Sequence, residues 1–280
     1  IGRRPRDRGN RGEKDAERVV GGFHLISSGE INGAVIIAYN KSSDQNEKGG
    51  AMATLRARPR EVEIDLGRTA VIVVDMQNAY AKKGGMLDIG GRSGFDEAKT
   101  KPVIEANVRL LPVARAAGVK VIYLQFGYRP DLGDAGGPMS PNRMRHIAVK
   151  MISERPEVGD KLIVEGTWGW RIIDELTPGP GDIVVKKTRF SGFAGTDLEN
   201  VLLGMDVRHL LFTGVATNVC VESTAREAYF REFWPILVED AMDHTGPDFT
   251  RQATIWNFET SLGWVTDTAA VMETLERAQA

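Results

Sequence analysis

Short β-branched apolar runs alternate along this chain with stretches whose apolar residues fall at helical spacing. TAVIVVD (Thr69 to Asp75) is a continuous apolar run closed by a carboxylate, the pattern of a strand buried on both faces. VKVIYLQ (Val119 to Gln125), GDIVVKK (Gly181 to Lys187), HLLFT (His209 to Thr213), PILVED (Pro235 to Asp240) and WVTD (Trp264 to Asp267) repeat the theme. Between them, Lys101 to Gly118 places Val103, Ile104, Val108, Leu111 and Ala114 at helical intervals and ends on a glycine stop. Thr196 to Asp206 predicts a helix capped by Thr196, with Leu198, Val201 and Leu202 on one face. Helices are also predicted over Thr217 to Phe233, Phe249 to Thr260 and the C-terminal TAAVMETLERAQ. Repeated strand–helix units of this kind imply an α/β fold: a mainly parallel six-stranded sheet covered by helices on both faces, in one domain over residues 52–280.

The first 51 residues break the pattern. They open with IGRRPRDRGNRGEKDAER, seven basic residues against four acidic, and close with the polar NKSSDQNEKGG. Only GAVIIAY (Gly33 to Tyr39) has the look of a strand. Too little apolar surface is present to offset the entropy of ordering, so a mostly disordered, solvated extension is expected, with Met52 as a natural start. Two long Gly-rich loops, Lys82 to Gly94 and Gly127 to Asn142, interrupt the strand–helix rhythm. Loops of such length in a compact domain are more often functional than incidental.

Charge and composition narrow the partners. A net charge of −2 gives no global attraction to nucleic acid or to an anionic membrane. No apolar run approaches the roughly 20 residues of a membrane span. The single cysteine, Cys220, excludes an internal disulfide and fits a reducing cytoplasm. The four histidines are scattered and no CxxC or HExxH occurs, so no protein-bound metal and no cofactor is expected.

Cys220 follows the HLLFT strand, after a turn through Gly214, in the first turn of a helix opening near Thr217. Free N–H groups and the positive end of the helix dipole favour a thiolate there. Asp75 and Lys187 end two other strands, and strand ends of a parallel sheet lie along one edge, so the three converge in one crevice. Lys187 would lower the thiol pKa, and Asp75 would take the thiol proton and return it to a leaving amine. Taken singly, each has a plainer reading: a buried small hydrophobe, a structural acceptor, a solvated ammonium on an apolar stem, or only a salt bridge between Asp75 and Lys187.

D-x-Q-N (Asp75, Gln77, Asn78), K-x-x-x-S-G-F (Lys187, Ser191, Gly192, Phe193) and GVATNVCVEST (Gly214 to Thr224) occur in order. Together they resemble the isochorismatase-like cysteine hydrolases, over about residues 52 to 275. The resemblance implies a three-layer α/β/α fold and a catalytic triad of Asp75, Lys187 and Cys220. It implies a non-proline cis peptide between Val215 and Ala216, an oxyanion hole from the Ala216 and Cys220 N–H groups, and metal-free hydrolysis. MATLRARP, VDMQNAYAKKGG, DAGGPMSPN and KTRFSGF resemble the branch that acts on ureido acids in uracil degradation. That branch implies attack of Cys220 on the ureido carbonyl of (Z)-3-ureidoacrylate or its peroxy form, releasing 3-aminoacrylate and carbamate. Asn78, Tyr80, Gln125, Tyr128, Trp168 and Phe190 are the candidates for the pocket wall. A homo-oligomer, dimer or tetramer, is the family habit, with Tyr229, Phe230, Phe233, Trp256 and Phe258 as candidates for either interface or core. Two other readings stay open: a carbamoyl hydrolase acting on biuret or N-carbamoylsarcosine, and a non-catalytic α/β binding protein.

Overall fold

The computed structural model of the chain describes residues 50–91 and 95–279. The expected extension, with its candidate strand from Gly33 to Tyr39, lies outside the described residues except for Gly50 and Ala51. The carbonyl of Ala51 accepts the Leu66 N–H at 3.1 Å, which ties the chain just before Met52 to the end of the second strand.

Eight strands are present among the described residues: β1 (Met52–Leu55), β2 (Val62–Asp65), β3 (Thr69–Val74), β4 (Lys120–Phe126), β5 (Ile183–Lys187), β6 (His209–Val215), β7 (Trp234–Asp243) and β8 (Trp264–Thr266). The last six form one parallel sheet in the order β5-β4-β3-β6-β7-β8. The main helices are α1 (Glu97–Ala116), α2 (Ile147–Glu154), α3 (Leu198–Gly204), α4 (Glu222–Phe230), α5 (Asp248–Asn257) and α6 (Thr268–Arg277).

Alternation along the strands sorts the core into two layers. Ile72, Val74, Ile122, Leu124, Leu210 and Phe212 face the side packed by α2, α3, α4 and α5. Val71, Val73, Val121, Tyr123, Leu211 and Ile236 face α1 and α6. All six residues of β3 are buried, which is why that strand reads as an unbroken apolar run. Each such side chain contributes about 1.5–3 kcal/mol relative to exposure, so the central strands anchor everything attached to their ends.

Several expectations shift. An antiparallel pair, β1 with β2, precedes the sheet and had no signal beyond two short alternating runs. Helix α1 starts four residues earlier than expected, capped by Asp96, whose carboxylate accepts the Ala98 N–H at 2.9 Å. Its buried stripe runs through Val103, Ala106, Asn107, Leu110, Leu111 and Ala114, leaving Val108 exposed. The cap residue of α3 is Asp197 rather than Thr196, although the Thr196 hydroxyl does accept the Leu198 N–H at 3.2 Å. Strand β7 runs on to Asp243 because its late charges are paired: Glu239 with Arg58, and Asp240 with the Thr268 N–H. Of the aromatic residues considered for an interface, Phe233 and Phe258 are core, whereas Tyr229, Phe230 and Trp256 are exposed.

Candidate active site

The order of the sheet determines where its chemistry can sit. From β3 the chain moves outward through β4 to β5, then returns to β6 on the other side of β3. Loops leaving β3 and β6 therefore diverge, and a crevice opens beyond their C-terminal ends. Asp75 follows β3 and Cys220 follows β6. Lys187 ends β5, two strands from β3, a gap of roughly 10 Å. A long aliphatic stem spans that gap, and its ammonium arrives 2.8 Å from Asp75 Oδ2.

Asp75 leaves the strand with φ 50°, a left-handed conformation in which its N–H bonds the Leu124 carbonyl at 2.9 Å. Aspartate tolerates that region better than most side chains. Gly214 has a stricter reason to be glycine. Its φ is 99°, and a Cβ there would lie 2.1 Å from the Val74 carbonyl oxygen. Bare backbone at this point lets β6 run on past Thr213 to Val215 beside β3. The Val215–Ala216 peptide is cis.

Cys220 does not sit in the first turn of an α-helix as expected. Residues Thr217–Val221 form a π turn, whose N–H groups at Val219 and Val221 both bond the Ala216 carbonyl, and α4 follows it. The expectation of a thiolate is corrected as well. Burial pushes the Cys220 thiol up; the Lys187 charge opposes this, and Asp75 adds to it. Burial thus favours the protonated thiol in the resting site. Burial likewise raises the Asp75 carboxyl, and Lys187 offsets only part of that rise. The side chains of Lys187 and Asp75 are 0% and 1% exposed, so their attraction is barely screened. Contact between them is one of charge more than of direction: the ammonium's N–H groups aim at the carbonyls of Arg189, at 3.1 Å, and Phe190, at 3.2 Å. Phe126 supplies a ring face 4.3 Å from the same ammonium.

Two surface hollows among the described residues lie elsewhere. One is lined by Lys82, Phe95, Glu97, Thr100 and Ile104, another by Asp96, Asp243 and His244, and neither includes Asp75, Lys187 or Cys220. Converging buried titratable groups are a stronger guide to chemistry than the size of an open groove.

The segment 69–270 matches the isochorismatase domain. The chain belongs to the isochorismatase family. It is 47% identical over 237 residues to a protein named ureidoacrylate amidohydrolase RutB from Methylorubrum extorquens, covering 85% of this chain and 94% of that one. A protein of the same name from Rhizobium rhizogenes is 49% identical over 212 residues, 76% of this chain and 85% of that one. Among solved structures, a cysteine hydrolase from Pseudomonas syringae pv. phaseolicola superposes with a TM-score of 0.61 at 31% identity, covering 77% of this chain and 95% of its own.

For this isochorismatase-family chain, the three motifs divide their labour. Gln77 of D-x-Q-N is a clamp: its amide nitrogen bonds the carbonyls of Phe126 (2.8 Å) and Trp170 (2.6 Å), and its oxygen takes the Phe126 N–H (2.9 Å). Asn78 bonds the Trp168 carbonyl at 2.9 Å, and Gln125 the Trp170 carbonyl at 3.0 Å. Those two amides hold the 160s loop against the sheet edge. In S-G-F, Ser191 bonds Glu227 of α4, and the Gly192 N–H donates to Thr224 at 2.9 Å, whose own hydroxyl donates to the Cys220 carbonyl at 2.6 Å. The lysine loop is thereby tied to the turn that carries the cysteine.

The remaining wall candidates separate. Tyr80 stands next to the triad, its hydroxyl raised well above the usual phenol range by burial and by Asp75 and Cys220. Tyr128 is buried, is pushed up to about 12 mainly by that burial, and accepts a 2.9 Å bond from Asn142. Phe190 packs 6.2 Å from Phe126, ring centre to ring centre, and is 43% exposed. The Trp168 ring lies 4.6 Å from the surface ammonium of Lys161. One neighbour escaped the sequence reading altogether: His146 stacks on Phe126 at 5.0 Å and lies 5.6 Å from Phe190. Its only signal was a lone histidine after the long loop, in no motif.

Proposed function

We propose that the protein is a cysteine amidohydrolase that cleaves the ureido C–N bond of (Z)-3-ureidoacrylate or its peroxy form. The observation that carries this reading is the meeting of Asp75, Lys187 and Cys220 at one sheet edge, with the ammonium and carboxylate sealed from solvent. Two relatives named for ureidoacrylate hydrolysis, each nearly half identical to this chain, support the choice of substrate.

In the proposed reaction, the Asp75 carboxylate takes the Cys220 proton as Sγ attacks the ureido carbon. Because burial disfavours a free thiolate, deprotonation and attack go together. The carbonyl oxygen becomes an oxyanion held by the Ala216 and Cys220 N–H groups. Lys187 keeps Asp75 charged until it accepts the proton. Asp75 then gives that proton to the departing nitrogen, releasing 3-aminoacrylate and leaving a carbamoyl thioester on Cys220. A water deprotonated by Asp75 attacks this thioester, carbamate departs, and the thiol recovers its proton. Carbamate decays to ammonia and carbon dioxide.

A homo-oligomer working in the cytoplasm belongs to the same reading; the exposed aromatic residues Tyr229, Phe230 and Trp234 support a shared face. Among the described residues no helix is long and apolar enough to cross a membrane. Ammonia release from ureidoacrylate by the purified protein tests the proposal. Rapid release by wild type and none by Cys220→Ala is the expected result. Full activity in the variant sinks the nucleophile assignment, and inactivity of the wild type sinks the substrate.

A further inference from the structure

His146 is 5% exposed and lies in a cluster with Phe126, Phe190 and the edge of Tyr128. Its Nδ1 accepts the Ala148 N–H at 3.2 Å, capping the first turn of α2. Burial, with the charges of Lys187 and Arg189 nearby, holds the imidazole down at about 4. The ring is therefore neutral at physiological pH, and with Nδ1 committed as an acceptor the proton resides on Nε2. That Nε2–H has no partner among the described residues, yet it is not one of the fully enclosed polar atoms. A buried side chain thus holds one fixed donor, without a partner among the described residues, beside Phe190 and near the Lys187 and Arg189 charges.

Charge around this donor is one-sided. Arg189 spends its hydrogen bonds on the carbonyls of Thr188 and Asp134 and on the Thr188 hydroxyl, with no carboxylate among those partners. Asp75, the carboxylate beside Lys187, is already paired with it. An anion arriving next to Phe190 meets a net positive field and a neutral N–H.

We infer that His146 is a specificity-determining residue, whose Nε2–H donates a hydrogen bond to the carboxylate end of the ureido acid while the ureido carbonyl lies at Cys220. The inference rests on the ureido-acid reading above. A hydrogen bond to a charged acceptor corresponds to roughly a 10- to 100-fold effect.

The test compares kcat/KM for ureidoacrylate and for its uncharged carboxamide, in wild type, His146→Phe and His146→Asn. The first variant keeps a stacking ring, and the second keeps an acceptor for the Ala148 N–H. Wild type is expected to prefer the acid. Both variants should lose roughly 10- to 100-fold on the acid, chiefly in KM, with little change on the amide. Equal losses on both substrates, no loss in either variant, or a wild type indifferent to the carboxylate would overturn the inference. If wild type cleaves neither compound, or both variants unfold, the ¹⁵N-histidine spectrum of wild type decides. Propanoate shifting the His146 Nε2–H resonance supports the role, and an unmoved resonance overturns it.

Discussion

Replacing Lys187 with methionine isolates the ion pair. Methionine matches the length and apolar stem of lysine and removes only the charge and its donors. In the wild type burial raises the Asp75 carboxyl, and the ammonium at 2.8 Å is the main influence holding it down. Without it, a carboxylate 1% exposed has no counter-charge and takes up a proton in the folded state. The unfolded chain does not, because there the group titrates near its ordinary 3.8. At pH 7 the cost is that of protonating such a group, 1.36 kcal/mol for each of about three pH units, or about 4 kcal/mol. At pH 5 the same arithmetic leaves less than about 2 kcal/mol. A raised carboxyl stabilises at low pH and loses that contribution as pH rises, so the variant should fall behind the wild type by up to about 1.4 kcal/mol per unit between pH 5 and 7. Leaving the Arg189 and Phe190 carbonyls without their donor adds a constant offset that does not affect this slope. Urea unfolding at pH 5, 6 and 7 measures it. Parallel stability curves for the two proteins, or a difference under about 1 kcal/mol at pH 7, would refute the picture of a carboxylate held charged by this lysine.

Two further outcomes follow from the same geometry. Cys220, buried and with its thiol raised, should react with iodoacetamide at pH 8 at least about tenfold more slowly than an unhindered cysteine, and unfolding in urea should restore the ordinary rate; equal rates in the folded protein would contradict the assignment of a protonated resting thiol. Gln77→Leu, which keeps shape but orphans the Phe126 N–H and the Phe126 and Trp170 carbonyls, should cost about 2–4 kcal/mol in denaturant unfolding, and a loss below about 1 kcal/mol would mean the clamp is idle.

How much of this was legible in the sequence depended on where each signal came from. Strands buried on both faces write themselves as apolar runs, so β3, β4 and β6 could be read directly, and the edge strand β5 still shows its β-branched Ile183, Val184 and Val185 before Lys187. The antiparallel pair β1–β2 is only four residues a side, and its strands bury alternate residues, which leaves little period to detect. The end of β7 was missed because its acids looked like a loop until Arg58 and Thr268 were seen to satisfy them. The positions of Asp75, Lys187 and Cys220 were legible from strand grammar, but the state of the thiol was not. Sequence supplies the helix start and the nearby lysine, both of which favour a thiolate; only the fold supplies the burial that outweighs them. Asn78, Gln125 and Trp168 share the opposite weakness. Proximity in the chain suggested a pocket, whereas the amides of the first two are spent on loop carbonyls and the ring of the third faces Lys161. His146 belongs to no motif because its role depends on a ring cluster assembled from three separate segments.

A protonated thiol in a dry site makes physical sense for a hydrolase whose substrate is a weak electrophile. A standing thiolate would need its own stabilising charges, and these would have to be given up at the moment of attack. Among the described residues the one buried ammonium, Lys187, is shared: it pairs with Asp75 and only partly offsets the burial of the thiol. Under the proposed mechanism, the stabilisation of negative charge is instead reserved for the carbonyl oxygen, where it appears during the reaction. Interactions that strengthen only as charge develops lower the barrier, whereas those that also stabilise the ground state do not. The same burial that keeps Cys220 unreactive towards general alkylating agents would thus help confine its reactivity to a carbonyl seated against the Val215–Cys220 turn. What Lys187 contributes on this view is a charged Asp75 ready to take the proton, and the pH slope of Lys187→Met reports on that contribution without any substrate present.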